Sequence, residues 1–413
     1  MNERVLKRIF WTAGTLLFVV GFAGWWDRIA NGHENADYGT IVPWGLWIAM
    51  YIYFIGLSAG AFLISALVYV FRVKRFEPVG RVALFTALVT LLLALLSVWA
   101  DLGHMGRAWR VIANPNFKSP MAWMIWLYAS YVAVLAAELY FVLRRDLVIS
   151  AEQGGPKGRV YRVLALGSKD VSDKRAGRDQ RIVRVLASIG VPVAIMFHGG
   201  VGALFGVIAA RPSWNSGLFP ILFLVSALAS GGALLTLVIA VFQGGLRESR
   251  DTIVALGQLV LGLLLLDVLF QISEYLVAGY GGVPGHVEGL KLMFTGPYWW
   301  VFWVWQIAIG TLIPIVILAS RRRSNPYWVA GAAGLIAVGF IGLRLNIVVP
   351  ALAVEEIQGI TGAISSPRMV TDYFPALGEW LLTAGVVGLG LLVFGVGEKF
   401  LPRATKDASH VSV

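Results

Sequence analysis

Apolar residues run in ten long blocks along the chain, at about 9–26, 46–71, 82–101, 122–143, 182–209, 218–242, 253–276, 299–320, 327–349 and 376–397. A helix needs roughly 20 apolar residues to cross a hydrocarbon core of about 30 Å, and most of the blocks reach that length. Backbone in hydrocarbon must satisfy its own N–H and C=O groups, so each block is expected to be a helix. The pattern predicts an all-α polytopic membrane protein with about ten transmembrane helices. The first block follows Arg4, Lys7 and Arg8, as a signal peptide would. Trp25 and Trp26 come after it and a small-residue cleavage pattern is poor, so it reads as a retained helix.

Self-similarity divides the blocks further. Leu57-Ser-Ala-Gly-Ala-Phe-Leu63 matches Ala229-Ser-Gly-Gly-Ala-Leu-Leu235, and Pro120-x-x-Trp123-x-x-Trp126 recurs at a nearly constant offset as Pro297-x-x-Trp300-x-x-Trp303. Blocks two to five and six to nine are therefore expected to form two parallel four-helix bundles, with a flanking helix at each end. The implied division is 1–45 (first helix and outer loop), 46–210 (first bundle), 211–350 (second bundle) and 351–413 (outer loop, last helix and tail). The small residues of the first motif pair predict close helix packing rather than ligand contact.

Charge orients this arrangement. Basic residues gather at the N-terminus, at Arg72 to Arg81, throughout 144–181, at Arg247 and Arg250, and at Arg321 to Arg323. The opposite loops are sparse in Lys and Arg. The positive-inside rule then puts both termini in the cytoplasm, with 144–181 as a flexible cytoplasmic connector. The net charge of +11 is thereby explained by topology rather than by nucleic acid. Sixteen Trp and thirteen Tyr, many near block ends, fit interfacial belts against membrane lipid. There is no cysteine, so any cysteine-ligated iron–sulfur cluster or covalently attached haem must belong to another subunit.

Ionisable groups near apolar spans are costly and point to function. Asp101, His104, Arg107 and Arg110 follow an i, i+3 stripe that shares one face if the helix continues. Such a stripe could exchange protons through Asp101 and His104, although a helix-ending salt bridge is the simpler alternative. In the second half Asp267, Gln271 and Glu274 line one face of a leucine-rich helix, and Glu274 matches the depth of Asp101. His198 lies mid-span, and lacks the facing histidine that haem b would need. Arg344 must find an anion or carbonyls, with Glu355, Glu356 or Glu379 as candidate acids. Trp47 and Tyr51 offer a flat surface and a hydroxyl. No metal site, P-loop, dinucleotide fingerprint or hydrolytic triad is legible.

Pro43-Trp-Gly-Leu-Trp-Ile-Ala-Met-Tyr51 onward to Gly60, Asp101-Leu-Gly with Arg107-Ala-Trp-Arg, Asn114-Pro-Asn-Phe-Lys-Ser-Pro-Met-Ala-Trp123 and Arg211-Pro-Ser-Trp-Asn215 together resemble the NrfD/PsrC family of membrane subunits. The ten-helix length is similar to the larger members found in quinone reductase complexes and alternative complex III. The resemblance implies a quinone cofactor, menaquinone or ubiquinone, near the outer face, with no haem or iron–sulfur cluster in this chain. It implies a periplasm-facing ferredoxin-like iron–sulfur partner with a molybdopterin-type or cytochrome c subunit. The Asn and His that hold quinone in the polysulfide reductase type fall here on Ile48 and Tyr51, a departure that leaves Trp47, Tyr51, Arg107 and Arg110 as binding candidates and Asp101 and His104 as the proton-exchanging pair. His198, Asp267, Gln271, Glu274, Arg344 and Glu379 are candidates for a proton path. A secondary transporter is the competing class, and would show paired mid-membrane helix breaks.

Overall fold

A computed structural model describes residues 3–152 and 155–401; the remainder of the tail, with His410, lies outside the described residues. Among the described residues ten helices are long and apolar enough to cross a bilayer: α1 (Arg4–Asn31), α2 (Leu46–Val70), α3 (Lys74–Asp101), α4 (Pro120–Glu152), α5 (Asp173–Gly206), α6 (Phe219–Phe242), α7 (Arg250–Tyr280), α8 (Val301–Ala319), α9 (Pro326–Ala353) and α10 (Leu377–Phe400). The apolar blocks thus form the spans they predict, and the chain is a multi-pass membrane protein. No strand occurs among the described residues. No span among them is interrupted by extended backbone, so the paired breaks expected of a transporter are not found there.

The core is built on α2, α6 and α9, the most enclosed helices, whereas α1 and α4 present most of their surface outward. The packing pattern is reciprocal. α2 lies on α3 and α6 on α7; α4 lies on α5 and α8 on α9; α5 reaches across to α6 as α9 reaches across to α2. At the centre α2 crosses α6 where the repeated small residues meet. A Cβ on Gly60 would stand 2.4 Å from the Gly231 carbonyl oxygen, and one on Gly231 2.3 Å from the Gly60 nitrogen. In lipid, dispersion and close backbone approach replace the hydrophobic drive between helices, so small residues are placed where two spans must touch.

The flanking helices pair with each other. α1 packs along α10 through Gly21 and Gly385, where an added Cβ on Gly21 would lie 2.0 Å from the Gly385 Cα. α10 also packs on α3, which brings the loop before α10 beside the end of α3. The 144–181 segment, expected from its polarity to be a flexible connector, is largely helical among the described residues. α4 runs on to Glu152, a short connector helix spans Gly155–Leu164, and α5 begins at Asp173. Fully buried Arg144 holds this region, donating to Asp179 at 2.5 Å, to the Ser168 hydroxyl at 2.7 Å and to the Asp170 carbonyl at 2.8 Å. A buried guanidinium must find such partners, and they order the segment.

Candidate functional site

The sequence suggests a helix continuing through Asp101 to Arg110, and the structure corrects this. α3 ends at Asp101, Leu102 is extended, and a short 3-10 turn follows at Met105–Arg107. Two causes are local and distant. Gly103 and Gly106 are poor helix formers. Arg28, at the end of α1, donates from Nε to the Ala100 carbonyl and from Nη2 to the Leu102 carbonyl, both at 2.6 Å. These are carbonyls that a helix C-terminus leaves without an intrahelical partner, and a cation there also complements the helix dipole. His104, Arg107 and Arg110 consequently sit exposed in the loop, with Arg110 over Trp109, and the i, i+3 stripe is dissolved.

Asp101 instead turns to groups delivered by α1, α10 and the loops beside them. The Tyr38 hydroxyl faces its carboxyl, and Arg28 and Glu379 are close enough to act on it electrostatically. His33 lies against the backbone at Ala100 and Asp101 and stacks on Trp47, with ring centroids 5.7 Å apart. Tyr38 packs edge-on to Trp47 and 5.9 Å from the Tyr373 ring, while the Arg28 guanidinium rides over Trp47 at 5.7 Å. Glu379 accepts from the Tyr373 hydroxyl at 2.6 Å and from the Asp37 and Ala376 amides at 3.0 and 3.1 Å. Its position in the first turn of α10 suits a carboxylate, because helix N-termini carry free N–H groups and positive potential.

Three buried polar atoms in this cluster, His33 Nε2, Tyr38 OH and Asp101 Oδ1, make no well-formed hydrogen bond among the described residues, although Tyr38 faces the Asp101 carboxyl and His33 the backbone of Ala100 and Asp101. Unmade buried hydrogen bonds are costly, so such a set marks a place where a further partner belongs. Burial first, then Asp101, Tyr373 and Glu379, hold the Tyr38 phenol well above its ordinary value, so it remains a donor. Burial, followed by Arg28 and Arg368, lowers His33 below its ordinary 6.5 and keeps the imidazole neutral. Of the residues singled out from sequence, Asp101, Trp47 and Glu379 meet here. Glu379, a proton-path candidate from sequence, thus lies in this cluster, apart from Asp267, Gln271 and Glu274. Tyr51 lies further along α2, half-buried and near Tyr128. His33, Tyr38, Arg28 and Tyr373 were missed; no local pattern marks them, since each is brought in by helix pairing.

A second polar set lies between α6, α7, α8 and α9. Gln271 donates to Asp267 at 2.6 Å, Gln306 to Gln271 at 2.8 Å, and Asn346 to Gln306 at 2.7 Å. Gln306 sits in Val301–Leu312, a stretch of α8 wound as π-helix, a geometry that recurs at functional sites. Arg344 takes none of the three expected glutamates. It donates to Ser226 at 2.8 Å, lies 4.9 Å over the Phe223 ring and is balanced electrostatically by Asp267. Glu356 instead pairs with Arg211 at 3.0 Å, and Glu355 accepts from Thr361. Glu274 is bonded by Ser216 and, with Gln271, Tyr275 and Asn346, lines a cavity of about 90 Å³. His198 lies buried on α5 against α2. Its ring nitrogens meet the Ala194 carbonyl at 2.8 Å, and the Ile55 carbonyl and Ser58 hydroxyl at 3.2 and 3.3 Å.

Comparison with known proteins places this geometry in a family. The sequence profile of "Polysulphide reductase, NrfD" matches residues 34–355. The chain is 34% identical over 410 residues to a selenate reductase subunit of Mesobacillus selenatarsenatis, an alignment that spans 98% of this chain and 96% of that protein. It is 27% identical to the "Hdr-like menaquinol oxidoreductase integral membrane subunit" of Archaeoglobus fulgidus, over 89% of this chain and 86% of the relative. To the "Menaquinone reductase, integral membrane subunit" of Nitratidesulfovibrio vulgaris it is 23% identical, over 97% and 93%. With the profile spanning most of the chain and a relative alike from end to end, the protein belongs to the polysulphide reductase NrfD family of integral membrane subunits.

Proposed function

We propose that the chain is the quinone-interacting membrane subunit of a respiratory oxidoreductase, exchanging electrons between a partner's iron–sulfur centre and membrane quinone at the junction of α1, α2, α3 and α10. The observation that carries this reading is the buried cluster of His33, Tyr38 and Asp101, whose His33 Nε2, Tyr38 OH and Asp101 Oδ1 make no well-formed hydrogen bond among the described residues. A quinone head group has two oxygens that need hydrogen-bond partners and protons, and the trio supplies a phenol donor, a carboxyl and an imidazole that serves as donor or acceptor. Relatives named as menaquinone reductase and menaquinol oxidoreductase subunits support the substrate class.

Quinone, when bound, supplies two-electron, two-proton redox chemistry; the chain supplies the proton handling. Asp101 holds or releases a proton at Oδ1, and Tyr38 orients its hydroxyl toward the same place. Arg28 fixes the backbone of Ala100 and Leu102 on which Asp101 is mounted. Tyr373 and Glu379 continue the polar groups toward exposed Asp37, which gives protons an exit to the outer aqueous face. Trp47 provides an apolar wall. The exposed surface of Arg107, Trp109 and Arg110 beside the site is where a partner carrying the iron–sulfur centre would dock. Asp267, Gln271, Gln306, Asn346 and Glu274, opening into the cavity beside α7, form a separate path for protons through the second half, with Arg344 and His198 at its inner end.

The test is quinone turnover by the assembled complex. Asp101→Asn and Tyr38→Phe are each expected to lower it by about a hundredfold or more, the scale of a lost general acid–base group, with complex assembly unchanged. Turnover within a few-fold of the parent in both variants would remove the assignment.

A further inference from the structure

Along the connector helix Gly155–Leu164, from Lys157 onward, runs an outer surface that none of the described residues covers. Its inner side is fixed. Tyr161 and Ala165 are buried against Leu143, Leu147, Val148 and Ala151 of α4. Gly158 lies against the Ala151 carbonyl, and the Tyr140 hydroxyl donates to the Ala165 carbonyl at 3.3 Å. The helix therefore folds back antiparallel along α4, so its first turns stand near the end of α4 and its last turn returns to the level of Tyr140. At the start Lys157 is tied to the end of α10, donating to the Lys399 carbonyl at 3.0 Å.

Depth follows from α4 itself. Trp123 and Trp126 are exposed at its other end, where aromatic side chains mark an interface. A rise of about 1.5 Å per residue carries α4 across a core of about 30 Å between Trp123 and Leu143. The returning end of the connector helix therefore reaches the boundary of the hydrocarbon, and its start stays at head-group level. Side-chain chemistry follows the same gradient. Val163 is 73% exposed and Leu166 75%, with Leu164 beside them at the deep end. Arg159, Arg162 and Lys169 are exposed, with no ion pair among the described residues. Leu166 also holds a left-handed backbone, φ +50°, followed by Gly167 at +75°. A large apolar side chain in that conformation, facing outward at the tip of a turn, is unfavourable in water.

We propose that this segment is an interfacial membrane anchor: Val163, Leu164 and Leu166 enter the acyl boundary of the leaflet on the basic side, while Arg159, Arg162 and Lys169 engage anionic phospholipid head groups. An apolar tip flanked by unpaired cations is the chemistry of helices that lie in the interface of anionic leaflets.

The lack of cysteine makes the test direct, because Leu166→Cys creates a single labelling position. The full-length protein, carrying a polarity-sensitive fluorophore there, is reconstituted into vesicles of phosphatidylcholine with phosphatidylglycerol. Blue-shifted emission is expected, with several-fold stronger quenching by nitroxide lipids than by iodide on both sides of the bilayer. Joint Arg159→Glu, Arg162→Glu and Lys169→Glu substitution, or pure phosphatidylcholine vesicles with the charges intact, should reduce that ratio several-fold. The lipid arm leaves the chain unaltered and so guards against a misfolded variant. A label quenched mainly by iodide in anionic vesicles overturns the proposal. So does insertion indifferent to lipid charge and to the substitutions, or protection that arises only when partner subunits are added.

Discussion

At the scale of single residues, Asp101 and His104 separate although three positions divide them. Asp101 is the last residue of α3 and faces Tyr38, whereas His104 lies in an exposed loop whose geometry Gly103 and Gly106 permit. His104→Ala is therefore expected to leave quinone turnover within about twofold of the parent, since exposed loop substitutions away from a site have small effects. Loss on the scale of Asp101→Asn, measured in the same assembled complex, would return His104 to the site. His33 makes a different prediction. Its pKa is lowered by burial and by Arg28 and Arg368, so at pH below 6.5 the unfolded chain binds a proton that the folded chain resists. The unfolded state then holds more protons and stability falls as pH drops through that range. Melting of purified protein between pH 7 and pH 5 should show a smaller loss in His33→Gln than in the parent. An unchanged pH slope would mean that the imidazole takes up its proton as readily in the fold as in the unfolded chain.

At the scale of elements, the α2–α6 crossing is the most exacting contact. Gly231→Val would drive a side chain into the Gly60 backbone, where even a Cβ stands at 2.3 Å. Overpacking of this kind costs about 1–3 kcal/mol, and here the obstacle is backbone that cannot rotate away. A lower melting temperature in detergent, with Gly331→Val as the control at a position with open space, tests this. The helices themselves were legible because hydrocarbon admits few backbone solutions, and the small-residue motifs announced their own role. What was not legible depends on pairs distant in sequence. Arg28 stops α3 across 72 positions. Glu379 reaches Asp101 through the packing of α10 on α3, and Arg344 finds Asp267 rather than the acids nearest it along the chain. The order in 144–181 escaped notice because its composition is that of a solvated loop, and one fully buried arginine supplies what composition does not.

At the scale of the whole molecule, two polar centres occupy different places. One gathers around Asp101 where the flanking helices close on the first half; the other runs from Asp267 to the cavity in the second half. They share no hydrogen bond among the described residues, and α2 and α6 cross between the halves. If the first centre serves the quinone and the second carries protons, their loss should have separable consequences. Asp267→Asn keeps the shape of the side chain and its place beside Gln271 while removing the ionisable carboxyl. In vesicles holding the assembled complex, it should leave quinone turnover near the parent rate and lower the number of protons moved per electron. Asp101→Asn should abolish turnover and proton movement together. Parallel loss of both activities in Asp267→Asn would make the two centres one pathway, and unchanged proton movement at normal turnover would leave the second centre a structural network that balances Arg344.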